Sequence, residues 1–124
     1  MTHNTAHKDV VSRLIDEVMN QGRLEVVDEL HTPEMAAKAR AWIKPFLESF
    51  SDINMRIVDL VAEDDTVAAR FSCSGTHTGE WLGKPASGLS FHDVDEVYFF
   101  TFEDGLIADA WGIEDTAKRK HQLS

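Results

Sequence analysis

Cysteine is nearly absent: Cys73 stands alone among 124 residues, so no disulfide can form within the chain. It sits inside an apolar strand pattern and reads as a small buried core residue; a reactive thiol needs an electropositive setting. Long apolar runs are also missing. None approaches the length of a membrane span, and Met1 to Lys8 lack the apolar region of a secretion signal. The default expectation is a cytoplasmic protein. Basic residues are few, 12 against 22 acidic ones, which leaves a net charge of −10. That balance repels phosphate backbones and argues against nucleic acid as a partner. Nucleophile elbow, phosphate loop and dinucleotide fingerprint are absent. His77, Glu80 and His92 are suitable metal-ligand types, but no HxH, HxxxH or CxxC spacing links them, and no metal is expected.

What is present is a chain long enough for one domain, 1–124, with 43% hydrophobic residues. Residues 1–7 read as a loose tail, and His3, His7, His31 and His121 as surface residues. Val10, Val11, Leu14, Ile15, Val18 and Met19 recur at helical spacing, and Asn20-Gln21-Gly22 is a stop signal. A short second helix carries Leu24 to Leu30. Thr32 is the expected N-cap of a third helix, with Pro33 at its first position and Pro45 as a kink near its end.

The period then changes from helical to alternating. Strands are expected over Ile53–Ala62, Val67–Ser74, Phe91–Glu103 and Leu106–Ile113, with turns at Asp64-Asp65 and Asp104-Gly105. Ile107 and Trp111 are expected on one face, and Asp115 caps a last short helix. Helices followed by an antiparallel meander predict an α+β fold with the helices on one sheet face, a cone with a pocket inside. The other sheet face carries bulky residues, and a homodimer is the economical way to cover it.

The strand before the first long loop runs into Gly75-Thr76-His77-Thr78-Gly79-Glu80-Trp81-Leu82-Gly83. A histidine, a glutamate and a tryptophan therefore sit where a strand leaves its sheet, either as a pocket rim or as a bulge whose Trp81 caps the core. On the third strand, Glu96 and Tyr98 run into Phe99-Phe100, and His92 is read as sharing their face. A carboxyl in apolar surroundings has a raised pKa and can act as general acid or base. A buried tyrosine hydroxyl either binds a carbonyl oxygen or serves as a satisfied core group. Asp109 is expected to pair with Arg70 across the sheet. Trp42, Trp81 and Trp111 are either a wall for a ligand or core and interface residues.

The motif Gly75–Gly83 continuing through Lys84-Pro85, the run Val67–Phe71, the Asp104-Gly105-Leu106-Ile107 turn and the closing Gln122-Leu123 resemble the SnoaL-like polyketide cyclase family of the nuclear transport factor two-like superfamily. The resemblance implies a cone of helices over a curved antiparallel sheet, an apolar pocket and usually an oligomer. It also implies cofactor-free ring closure by an intramolecular aldol step. In that family an aspartate does the acid/base work, helped by a histidine, on the last two strands.

Counted from the Asp104-Gly105 turn, the histidine position falls on Tyr98 and the aspartate position on Gly112. Glycine cannot move a proton. Glu96 and Glu114 lie on the same strand faces, displaced by two residues, or roughly 6–7 Å along a strand. The resemblance therefore implies Tyr98, Glu96, Glu114 and His77 as candidate catalytic residues, with Trp42, Trp81, Phe100 and Gly112 lining the pocket for a small apolar, oxygenated molecule. A non-catalytic ligand-binding or oligomerisation module of the same fold is the alternative. The connection before Thr32-Pro33 is shorter than the family pattern, which implies a pocket that is smaller, more open, or completed by a partner chain.

Overall fold

A computed structural model describes residues 3–124; Met1 and Thr2 of the expected tail lie outside the described residues. The remainder of that tail is helix. Helix α1 spans His3–Arg13 and passes into a π-helical turn, Leu14–Met19. The wider turn buries Leu14, Ile15, Val18 and Met19 together against the sheet. His7 is buried, not exposed, and its ring stacks on Phe102 at 4.2 Å. His31 is also buried: its Nδ1 lies 2.8 Å from the Val27 carbonyl, and burial pushes its pKa down.

The turn ends where the Asn20 side chain clamps the start of the sheet. Its amide donates to the Met55 carbonyl at 2.9 Å and accepts from the Met55 N–H at 2.6 Å. A single 3₁₀ turn, Leu24–Val26, leads into the one-turn helix α2, Val27–Leu30. Helix α3, Pro33–Ser49, starts as its sequence predicts: the Thr32 hydroxyl accepts from the Met35 N–H at 3.3 Å, with Pro33 in the first turn. The helix continues past Pro45 to Ser49.

The sheet is an antiparallel meander, β1 (Asn54–Glu63), β2 (Thr66–Thr76), β3 (Ser90–Glu103) and β4 (Leu106–Glu114), in the order β1-β2-β3-β4. Asp104 and Gly105 both have positive φ, 49° and 81°, as a tight hairpin turn requires. The core lies between one face of this sheet and helices α1 to α3. Among the described residues no helix is long and apolar enough to cross a membrane.

Three bulges decide which residues face the core: one at Val58 of β1, between Ile57 and Asp59, and two that shape β3 and β4. Between β2 and β3, Cys73 pairs with Val94 but Gly75 pairs with Phe91, so β3 carries one extra residue there. Asp93 takes φ 55° at that point, and Phe91, Val94 and Glu96 all end up buried. His92 is thereby left exposed, away from the face it was expected to share with Glu96. Between β3 and β4, Thr101 pairs with Asp109 and Phe102 with Ile107, so β4 carries the extra residue Ala108. Ile107 is buried while Trp111 is exposed, which corrects the expectation that they share a face. Asp109 sits opposite Thr101, and Arg70 pairs instead with Asp95 at 3.2 Å.

Candidate functional site

The bulge in β4 also aims Gly112 and Glu114 inward, toward Tyr98 and Glu96. Across β3 and β4, Glu96 is the register partner of Glu114, and Tyr98 of Gly112. Two carboxyls and a phenol thus share one patch of the sheet's inner face. Burial of this much polarity demands partners.

Helix α4, Thr116–Gln122, supplies the main one. Asp115 caps it, accepting from the Lys118 N–H at 3.0 Å, while its own N–H donates to the Asp95 carbonyl at 3.0 Å. Gln122 then grips the His92 backbone, accepting at 2.6 Å and donating at 3.1 Å. Held at both ends, α4 drives Arg119 under the sheet, where it is 0% exposed. Its Nη2 donates to Glu96 Oε2 at 2.8 Å and its Nη1 to Glu114 Oε1 at 2.5 Å. The guanidinium packs against Phe91 and Phe46, 4.7 and 5.2 Å from the ring centres. The Tyr98 hydroxyl donates to Glu96 Oε1 at 3.2 Å and lies 3.5 Å from Glu114 Oε2.

Charge does not balance in this cluster when both acids are ionised: one guanidinium faces two carboxylates. Glu96 is only 3% exposed. Burial, then the neighbouring Glu114 charge, pushes its carboxyl up to about 7, with Arg119 and the Tyr98 hydrogen bond opposing. Burial works against the Arg119 charge, but the two carboxylates outweigh it and raise its pKa. Burial and both carboxylates push the Tyr98 phenol up, so it stays a hydrogen-bond donor. The result is one buried carboxyl, Glu96, that takes up or releases a proton near neutral pH beside a hydroxyl donor. Cys73, buried on the adjacent strand, has its thiol pushed up by burial and by Glu96, and is inert.

Glu96 and Tyr98 border a cavity of about 20 Å³, lined otherwise by apolar side chains including Phe71, Phe100 and Leu14. That is room for about one water molecule. Trp42 forms the outer wall. It is 41% exposed on one side and stacked over Tyr98 on the other, with ring centres 6.1 Å apart and planes within 9°. Of the three outcomes implied by the short connection before α3, a smaller, a more open or a partner-completed pocket, a cavity of about 20 Å³ fits the first.

The structure therefore brings Glu96, Tyr98, Glu114, Trp42, Phe100 and Gly112 together. Gly112 contributes no side chain; the Tyr98 ring occupies the space over its Cα. His77 and Trp81 are elsewhere. His77 Nδ1 lies 2.9 Å from the Ser87 hydroxyl in the long loop, and Trp81 packs edge-on against Phe50. Neither lines the cone cavity. Trp111 is on the outer face. Among the described residues, no group of three His, Cys, Asp or Glu side chains is arranged to hold a metal ion. Arg119 is the residue that sequence reading missed. It is hidden in the basic run Lys118-Arg119-Lys120; its one signal is the four-residue spacing to Leu123 on an apolar helix face.

The family model for SnoaL-like polyketide cyclases matches residues 9–123. The chain is 31% identical over 109 residues to an aklanonic acid methyl ester cyclase, DnrD, of Streptomyces peucetius, covering 86% of this chain and 72% of that protein. It is 34% identical over 107 residues to another, AcmA, of Streptomyces galilaeus, covering 85% and 71%. Among solved structures it superposes on TsrD of Streptomyces laurentii with a TM-score of 0.89 at 28% identity, covering 97% of this chain and 96% of that one. A SnoaL-like protein of Jannaschia sp. CCS1 gives 0.88 at 25% identity, covering 97% and 92%.

Proposed function

Because the chain belongs to the SnoaL-like polyketide cyclase family, we propose that it is a cytoplasmic protein that binds a small, apolar, oxygenated molecule at the mouth of the cone and performs cofactor-free acid/base chemistry there. One observation carries this reading. A buried carboxyl poised at about 7, Glu96, lies beside an apolar cavity and within 3.2 Å of a tyrosine hydroxyl. Tyr98 turns its single O–H from Glu96 to a substrate carbonyl oxygen, and the ionised Glu96 oxygen so freed removes a proton next to that carbonyl. The enolate carbon attacks a second carbonyl within the same molecule, and Glu96 returns the proton to the new alkoxide. Proton and electron count close without any further reagent. Arg119 and Glu114 hold Glu96 in place and set how readily it releases its proton.

The curated relatives act on aklanonic acid methyl ester. Drug-sized ligands occupy pockets of roughly 300–1,000 Å³, against about 20 Å³ here. A substrate of that class enters only when Trp42 swings off Tyr98. The filled cone favours the second reading, a non-catalytic ligand-binding or oligomerisation module of the same fold. We propose in either case that the outer sheet face, with Phe99, Trp111 and Ile113 exposed, pairs with a second copy of the chain.

The deciding experiment has two arms. Cyclisation of aklanonic acid methyl ester is followed by mass spectrometry, and α-proton exchange of the compact ketone 2-tetralone in D₂O by NMR. The catalytic reading expects one arm to be accelerated, with a rate that rises with pH through about 7 and is lost in Glu96→Gln. No acceleration in either arm supports the non-catalytic module.

A further inference from the structure

The loop that carries the family motif encloses a second site. Trp81 and Lys84 form a tight antiparallel bridge, with Trp81 N–H donating to Lys84 O at 2.9 Å and Lys84 N–H to Trp81 O at 3.0 Å. The two residues between them, Leu82 and Gly83, both have positive φ, 50° and 79°. Residues paired across such a turn project their side chains to the same side. The Trp81 indole and the Lys84 chain thus line one wall of a groove of about 130 Å³; Lys120 and Leu123 of the C-terminal segment line another. The groove shares no lining residue with the cone cavity.

Three features of this groove fit one ligand chemistry. His77 lines it and is only 3% exposed. Its Nδ1 accepts from the Ser87 backbone N–H at 3.3 Å, so the ring proton resides on Nε2. Nε2 is buried and has no acceptor. Buried donors are almost always paired, and an orphan of this kind marks a missing partner. Second, both charged lining residues, Lys84 and Lys120, are cations, and no acidic residue lines the groove although the chain carries −10 overall. Third, Trp81, Leu82 and Leu123 offer apolar surface beside those charges. A missing acceptor, two ammonium groups and an apolar wall describe a carboxylate with a short apolar body.

We infer that the groove between the Gly75–Lys84 loop and α4 binds a small organic carboxylate, independently of the cone. The carboxylate meets Lys84 and Lys120 and takes the buried His77 N–H once a small shift of the loop uncovers it, and the apolar body lies along Trp81.

The test is an NMR titration of ¹⁵N-labelled protein with benzoate, its neutral analogue benzyl alcohol, and inorganic phosphate. Benzoate is expected to shift the His77 Nε2 signal, the Trp81 indole and the 120–123 amides, and to leave Trp42 unmoved. Benzyl alcohol is expected to bind at least tenfold more weakly. Lys84→Met and Lys120→Met, surface changes that leave the fold intact, are each expected to weaken benzoate by about threefold, the scale of an exposed ion pair. Phosphate binding as tight as benzoate would overturn the apolar part of the assignment. An absent benzoate shift, equal binding of benzyl alcohol, or indifference to both lysine changes would overturn the site. Glu96→Gln is expected to leave benzoate binding unchanged, so the outcome does not depend on the chemistry proposed for the cone.

Discussion

The ring of Tyr98 lies on the backbone of Gly112, its partner across β3 and β4, so closely that a β-carbon at 112 would collide with ring atoms Cδ2 and Cε2. The two residues are one packing solution: bulk on β3 requires none on β4. Gly112→Ala should therefore destabilise the protein by about 1–3 kcal/mol, as overpacking does. In a Tyr98→Ala background the same change should cost under about 0.5 kcal/mol. A urea-denaturation cycle over the four proteins measures the coupling. Additive costs would show that the ring does not set the need for glycine.

Glu96 predicts an unusual contribution to the pH dependence of stability. Its folded-state pKa, about 7, lies above the ordinary carboxyl value of 4.5. The fold therefore favours the protonated acid. This contribution is fully present below pH 4.5 and is lost as pH rises through 7. The exposed Asp52, held low by Thr76, has the opposite dependence. The Glu96 part is isolated by the difference between wild type and Glu96→Gln. Between pH 4.5 and 8 that difference should move in favour of the glutamine variant by on the order of 3 kcal/mol. A flat difference in chemical denaturation across this range would mean that Glu96 titrates normally.

Among the described residues, Arg119 is the cation that touches both carboxyls, the buried Glu96 and the half-buried Glu114. Arg119→Met keeps an apolar stem among Phe46 and Phe91 but removes the charge. The loss expected at pH 8 is about 3–5 kcal/mol, the cost of stranding a buried charge. At pH 5 it should shrink, because Glu96 then holds a proton and carries no charge to strand. Arg119→Lys should rescue little, since a single ammonium does not span two carboxylates as a planar fork does. Thermal unfolding at the two pH values is the measurement. Equal losses at both would assign Arg119 a packing role only.

The strands and their turns were legible because period-two alternation and the Asp104-Gly105 pair act locally. The family resemblance rested on the same local stretches. What the alternation could not show was parity. One extra residue at 92–93 and another at Ala108 exchange inside for outside partway along β3 and β4. His92 was therefore read on the wrong face, and Trp111 was grouped with Ile107. His7 was lost for a different reason: its partner, Phe102, is brought to it only by the fold. Arg119 was hidden because a charged run usually means a solvated face. Only the position of α4 beneath Glu96 and Glu114 turns one of its cations inward.

The proposed pairing of outer faces makes the last prediction. Phe99 and Trp111 are register partners with ring centres 6.1 Å apart, and Trp111 is 57% exposed. Ile113 and Val97 extend the apolar stripe on the same face. Arg70 and Asp95 beside it carry opposite charges, which suits a surface meeting its own copy about a two-fold axis. A stable dimer needs about 800 Å² from each partner, so charge placed centrally should abolish it. The wild type should sediment as a dimer, and Trp111→Lys with Ile113→Lys as a monomer. Circular dichroism should stay unchanged, because neither side chain is buried in the fold of a single chain. A monomeric wild type at micromolar concentration would end the proposal. A double variant that remained dimeric would move the contact to another face.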